Sequence, residues 1–451
     1  MSPLGIGQDF MRRIAGEVTG RTVSGSAGQA AARTFGKDGL AGLDRSAVDQ
    51  IARFNAPIAR KAPQLLKMKY QEMATDPFAF YRGSDSLYTS DFKTLFGDRA
   101  LGKPLLLADD EHMDNFGTYT RANGQVAFGL NDFDEASTGP AKVDIYRYGT
   151  SVVLAANQQG MKADAPNLVG AFADAYHKEL AGLARGERPP LEQPDMVKKL
   201  LSQANGTSTK TWIDKLAPKV KGQRMFARSA TTTSVDKQTY SDVASAVDRY
   251  RASLPAAQQN MLGPYEVKDV ASVTAGVGSV GRARYRALLT AKGRDPVVLE
   301  IKEEVPPAWK PQTPGVFSQQ ASRDVLADDV MDTHADPFQG KTTLPTRDAL
   351  ESNSFLVRRV YPSKAAIDLT TLHNSNQMQQ LVQYEGRELA RAHASGVAYG
   401  LADAHDLLAQ IGDRTGFTRD VQTFSQRYAK QVASDHQSFV SALRKDGTLK
   451  S

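Results

Sequence analysis

The sequence predicts an α+β fold on three observations. Apolar, strand-forming runs with aspartate-rich ends occupy residues 103–136 around a turn at Asn123 and Gly124. A glycine-rich run at 276–281 leads into an alternating strand, Val297 to Ile301. Helical periodicity fills 144–183, 240–263 and most of the chain from 375 onward.

Composition narrows the function classes. With 451 residues, 41% hydrophobic and 24% charged, the chain is an ordinary globular sequence able to bury a sizeable core. Its 56 Lys and Arg exceed 50 Asp and Glu by six, and nucleic-acid binding does not follow from so mild an excess. The basic stretch of Lys198, Lys199, Lys210, Lys215, Lys219, Lys221 and Arg224 reads as a solvated face. Without cysteine, disulfides, thiolate metal sites and a cysteine nucleophile are excluded, which leaves oxygen as the metal ligand. No run approaches the roughly 20 apolar residues of a membrane helix, and MSPLGIGQDFMRRIAG lacks a signal-peptide core. The expectation is a cytoplasmic protein with no membrane span. Its first 45 residues read as a flexible leader, a composition that secreted bacterial effectors share.

In chain order, residues 46–75 predict two short helices broken by Pro57 and Pro63. DPFAFYRGSDSLYTSDF is aromatic and rich in turn formers. KPLLLADDEH and QVAFGLNDFDE follow as the two strands of a hairpin. After the helices of 144–183, residues 184–225 are polar, proline-punctuated and basic, which predicts a linker or exposed insertion. A helix over 317–332, a strand over 355–361 and helices from 375 complete the reading.

Three elements carry chemistry. Asp110 and Asn115 stand five apart in DDEHMDNFG, directly after the apolar strand. An aspartate there suits acceptance of a hydroxyl proton, and an asparagine carbonyl suits magnesium, although an acidic loop with an asparagine is also common turn chemistry. Asp132, in LNDFDEASTGPAKVDIY, leaves the end of the second strand, and a hairpin places its ends side by side. Asn115 and Asp132 can therefore share a cation; simple surface charge is the competing reading. The third element is Gly276, Gly278, Ser279 and Gly281, followed by Lys302 at the end of the next strand. Glycine backbone N–H groups cradle phosphate and such a lysine reaches it, whereas a glycine-rich turn with a snorkelling lysine gives the same pattern.

The combination resembles two groupings. ADDEHMDNFG, DFDEASTGP and the later Asp144 resemble the catalytic segment of aminoglycoside phosphotransferase-like kinases. FAFYRGS, DEHMDNFG, NDFDEASTGP, GVGSVG, DPVVLEIKEE and ARAHASG resemble, from about residue 68 to about 410, the bacterial domain-of-unknown-function family 2252. The kinase likeness implies a two-lobed fold binding ATP and Mg2+. Asp110 is then the base, with Asp109, where the phosphotransferase pattern has glycine, as the alternative. Asn115 and Asp132 hold the metal, and Lys302 and the glycine run hold the phosphates. His112 orders the loop and Asp144 ties it down through backbone hydrogen bonds. Arg82 is read as an ordinary ion-pair partner, with a phosphate contact as its competing role. No helix glutamate is evident for Lys302, Asp324 and Asp328 being the nearest acids.

A kinase has its glycine loop and lysine before the catalytic loop, and here they follow it. The resemblance therefore implies a circular permutation in which QLVQYEGRELARAHASG is the helix that precedes the catalytic loop in space. The implied parts are a leader (1–45), a C-lobe-like part with the catalytic and metal loops (46–263), an N-lobe-like part (264–362) and a helical part completing the C-lobe (363–451). The implied reaction moves phosphoryl from ATP to a hydroxyl of a small molecule or protein. Transfer of AMP and a catalytically silent binding module are the alternatives. Hydrolysis by the acidic residues alone leaves the glycine run and Lys302 without a role.

Overall fold

The computed structural model describes residues 40, 43–97, 103–121, 123–274, 281–310, 317, 319–331, 336–345 and 353–449. It is a mixed helix and sheet protein, as the sequence predicts.

The first helices are short because proline and polar breaks interrupt them. Residues 46–75 make three helices rather than two, α1 (Ala47–Phe54), α2 (Ala56–Lys61) and α3 (Pro63–Met73), with Pro57 and Pro63 in the first turns of the second and third. The aromatic segment that follows is helical too. Asp76 caps α4 (Pro77–Gly83) by accepting from the N–H groups of Phe78 and Ala79, and α5 (Asp85–Phe96) continues it. Its aromatic residues are buried core rather than turn, Phe78, Phe80, Tyr81, Tyr88 and Phe92 all packing inward.

The hairpin has a different pairing from the expected one. β1 (Leu105–Leu107) pairs antiparallel with β4 (Ser137–Gly139), and the hairpin is β2 (Phe116–Thr120) with β3 (Val126–Leu130) around Gly124 at φ +82°. FGTYT satisfies its backbone locally against VAFGL, so LLL takes the next strand out. The two acidic segments thus become neighbouring loops, 108–115 between β1 and β2, and 131–136 between β3 and β4.

Below them runs α6 (Lys142–Gln158), buried at every residue from Val143 to Ala156, so it is the central helix of the larger core. α7 (Ala165–Ala184), α13 (Ser375–His393) and the 32-residue α15 (Arg414–Lys445) surround it, with α14 (Ala404–Ile411) between the last two. Arg45, bonded to both Asp91 and Asp435, fastens the first described residues to α5 and α15.

A second core lies under an antiparallel six-stranded sheet in the order β11-β12-β10-β9-β8-β7. The strands are β7 (Thr232–Ser234), β8 (Glu266–Val273), β9 (Arg284–Thr290), β10 (Val297–Glu303), β11 (Gly340–Thr343) and β12 (Ser354–Arg359). One face packs on α10 (Lys237–Ser253) and on Leu262 of α11 (Ala256–Leu262); α12 (Ala321–Met331) adjoins β11 and β12. The sheet's core therefore begins well before residue 264, taking in Val243, Val247 and Tyr250. The expected insertion at 184–225 is partly ordered as α8 (Asp195–Asn205), α9 (Thr209–Leu216) and the two-residue strands β5 (Lys219–Val220) and β6 (Gln223–Arg224). Ile213, Ala217 and Phe226 pack on the sheet's other face, while most lysines of this stretch are exposed. No described helix is long and apolar enough to cross a membrane.

Candidate active site

Loop 108–115 is held from below. Asp144, in the first turn of α6, accepts the N–H of Ala108 at 2.8 Å and of Asp109 at 3.0 Å, the tether the sequence reading gives it. Nε2 of His393, at the end of α13, lies 3.1 Å from the same carboxylate, and its Nδ1 lies 2.8 Å from the Tyr176 hydroxyl. Three helices thus converge on two backbone amides.

Asp109 takes φ +71°, a left-handed conformation that costs a non-glycine residue about 1 kcal/mol or more, least for Asp and Asn. The side chain is fully buried, its Oδ2 accepting from the Trp309 N–H at 3.2 Å, and burial followed by repulsion from Asp85 pushes its carboxyl well above the usual range. Asp109 is not among the residues that line the site's cavity.

Asp110 does line it. The cavity, about 240 Å3, lies between the two acidic loops and the sheet, and Asp110, Asn115, Asp132 and Lys302 share its wall. Arg147, one turn after Asp144 on α6, binds Oδ1 of Asp110 with Nε at 2.8 Å and with Nη2, and stands 3.3 Å from Asp85. The guanidinium sits over the rings of Tyr81 and Tyr88 at 4.4 and 5.1 Å. Burial raises the Asp110 carboxyl to about 6, with Arg147 opposing the rise. Oδ2 remains on the side of His112, whose Nε2 is 4.0 Å away. His112 itself is buried against Phe78, and burial, then Arg82 and Arg147, hold its ring neutral, consistent with a loop-ordering residue. Arg82 makes an ion pair with Asp114 at 2.9 Å on the cavity rim.

Asn115 and Asp132 are brought together by the hairpin: the N–H of Asn131 donates to the Asn115 carbonyl at 3.0 Å. The Asn115 side-chain nitrogen donates to the Asp110 carbonyl at 2.5 Å, which leaves its side-chain oxygen as the other end of the amide. Burial works to raise the Asp132 carboxyl, but Lys302, Lys364 and Arg358 outweigh it and keep it below the ordinary range, ionised at neutral pH. An ionised carboxylate and an amide oxygen on one cavity wall are both hard donors of the kind a divalent cation takes.

Lys302 is buried on β10 and contacts Asp134, with Glu304 at 3.7 Å. Asp134, Glu304 and Asp324 can each bring an oxygen within 4.8 Å of the others. Both Glu304 oxygens are buried without a hydrogen-bond partner, and burial raises its carboxyl to about 7 against the pull of Lys302. Asp324, on α12, is the helix acid nearest in role to a lysine partner, but the direct partners of Lys302 are Asp134 and Glu304. Of the glycine run, Gly276, Gly278 and Ser279 lie outside the described residues. Gly281 has φ +95°, and a Cβ there would come within 2.7 Å of Ile58. Its flanks, β8 and β9, pair antiparallel, so the run does join two strands.

Sequence reasoning missed Arg147, Asp134, Glu304 and Arg282, which bonds Glu135. Arg147 was detectable, because a residue three after Asp144 shares its helix face. Asp134 and Glu304 had weaker signals, being second acids beside Asp132 and Lys302.

Residues 60–442 match the model of a family described as an uncharacterized protein conserved in bacteria (DUF2252), a wider span than the motifs cover. Neither a curated protein nor a solved structure matches the chain significantly.

Proposed function

The chain belongs to the DUF2252 family, whose description assigns no reaction, and from that premise we propose that it is a kinase-like phosphotransferase in circularly permuted order. It acts with Mg2+ and ATP on a hydroxyl of a small molecule or protein. One observation carries this reading: Lys302, from the sheet, meets Asp110, Asn115 and Asp132, from two loops about 190 and 170 residues earlier, in a single cavity.

The order of elements around the cavity supports the permutation. The β8–β9 hairpin with the glycine run precedes the lysine strand β10, which is followed by α12, β11 and β12, the order of a kinase N-lobe. The chain then passes through 360–364 to α13, whose last residue bonds Asp144. Just beyond, the N–H of Ala402 donates to the carbonyl of Pro104 at 2.9 Å, so the end of this segment abuts the start of β1. In space, α13 leads into the loop that opens the other half of the sequence.

Each residue then has a task. Bound Mg-ATP supplies the electrophilic phosphorus and a cation to share its charge. Asp132 and Asn115 offer oxygens to the cation, and Lys302 neutralises phosphate charge. Asp110, held by Arg147 through Oδ1, would present Oδ2 to the acceptor hydroxyl and take its proton as the new O–P bond forms and the bond from the γ-phosphorus to the β,γ-bridging oxygen breaks, releasing ADP. Asp144 and His393 fix the loop that aims it. Asp110→Asn is expected to cut ATP turnover by about 10²-fold or more while Mg-ATP affinity stays within about threefold. Undiminished turnover would remove Asp110 from the base's role.

A further inference from the structure

A second cavity of about 290 Å3 borders the first and shares Arg284, Arg358 and Lys364 with it. It lies over the sheet face that carries Lys302, next to residues 360–364, and that face is charged. Cross-strand pairing sets Arg286, Glu300 and Arg358 in one row over β9, β10 and β12, and Arg284 and Lys302 in the next. Further along the same face the residues are apolar, with Leu288 and Val298 packed beneath Phe226. The charge is therefore confined to the part of the sheet that borders the cavities.

Cations outnumber carboxylates on its wall. Five of them line the second cavity (Arg284, Arg286, Arg358, Arg359 and Lys364) against three carboxylates. Asp336 lies beside Arg359 and Tyr361. Glu300 is bonded by Arg358, at 2.7 Å, and faces Arg284 at 3.7 Å. Nε of Arg286 is buried without a hydrogen-bond partner. Arg358 and then burial lower the Lys364 ammonium to about 8, and burial lowers Arg284 and Arg286, while Glu300, Asp324 and Asp132 hold Arg358 up against burial. Crowded cations on a half-buried wall are stabilised by an anion with several acceptor oxygens.

We propose that this second cavity is a subsite for a phosphate-bearing group, held by Arg284, Arg286, Arg358 and Lys364 and adjoining the phosphate position at Lys302. It goes beyond the catalytic assignment and does not depend on it. Two sources offer this chemistry, the polyphosphate end of the donor nucleotide and a phosphate already present on the acceptor.

The test is calorimetric titration of inorganic pyrophosphate, without metal, into the full chain as wild type, Arg286→Gln, Lys364→Gln, Asp132→Ala and Lys302→Ala. Saturable binding is expected in wild type, kept in Asp132→Ala and Lys302→Ala, and weakened roughly tenfold in Arg286→Gln. Lys364→Gln, at the exposed rim, weakens binding without threatening the fold, and thermal unfolding checks both variants. No saturable binding, or binding lost in Lys302→Ala and unchanged in Arg286→Gln and Lys364→Gln, overturns the proposal. That result would leave metal-dependent ATP binding untouched, so the two readings fail separately. Saturating Mg-ATP that displaces pyrophosphate identifies the donor's own phosphates as occupant; simultaneous binding identifies a phosphorylated acceptor.

Discussion

At the scale of single residues, the account turns on how one carboxylate is kept available. Asp110 is poised at about 6 by burial opposed by Arg147. A base works unprotonated, so turnover is expected to rise with pH through about 6 and then level. Arg147→Gln removes the opposing charge. The acid limb then moves to higher pH, and stability falls by about 3–5 kcal/mol because Asp110 and Asp85 lose a buried partner; pH–rate profiles and denaturant melts check the two effects. A limb unmoved in that variant would mean that another group titrates. The sequence makes Asp110, Asn115, Asp132 and Lys302 legible because their neighbours form recognisable runs. It cannot reveal that Asp109 is turned inward, since that depends on a backbone φ of +71° and on a bond from Trp309, 200 residues away.

At the scale of elements, the loops are placed by strand pairing and by helix ends. The sequence pattern predicts a hairpin around Asn123 and Gly124 but assigns its first strand to LLL. Alternation alone does not tell which of two successive apolar runs takes the nearer partner. The helices over 77–96 were hidden by aromatic composition, because Asp76 and Pro77 start a helix whose faces are nearly all buried. Helix α13 was legible from its periodicity and its likeness to a catalytic helix, whereas its bond to Asp144 was not. His393→Phe is expected to lower stability by about 1–3 kcal/mol, leaving the Asp144 and Tyr176 polar groups short of a partner. It also reduces turnover more than Mg-ATP affinity, because it loosens the loop that carries Asp110 and leaves Lys302 in place. Equal losses in both would assign His393 to folding alone.

At the scale of the whole molecule, two cores meet at a cavity crowded with buried acids. Burial pushes Asp85, Asp109, Glu111 and Glu385 up, and Glu304 to about 7. Such groups hold protons more tightly when folded, so their contribution is full below their ordinary values and is lost as pH rises through the folded ones. His112 and His436, lowered by burial, and Lys69 and Lys364, lowered to about 8, act in the opposite sense, while Asp110, raised to about 6, adds to the acids. The melting temperature of the ligand-free protein is expected to fall between pH 5.5 and 8, and Glu304→Gln is expected to flatten part of that slope. A melting temperature that rises over this range would contradict the burial of these acids. The α+β class was legible, but the extent of the sheet's core was not, since α10 reads as just another amphipathic helix. The central claim is that residues from two distant parts of the chain, 110–132 and Lys302, build one metal-dependent nucleotide site. Calorimetric titration of ATP, with and without magnesium, into wild type, Asp132→Ala and Lys302→Ala tests it most directly. The account predicts magnesium-dependent binding that both substitutions abolish; binding indifferent to magnesium and to both substitutions would contradict it.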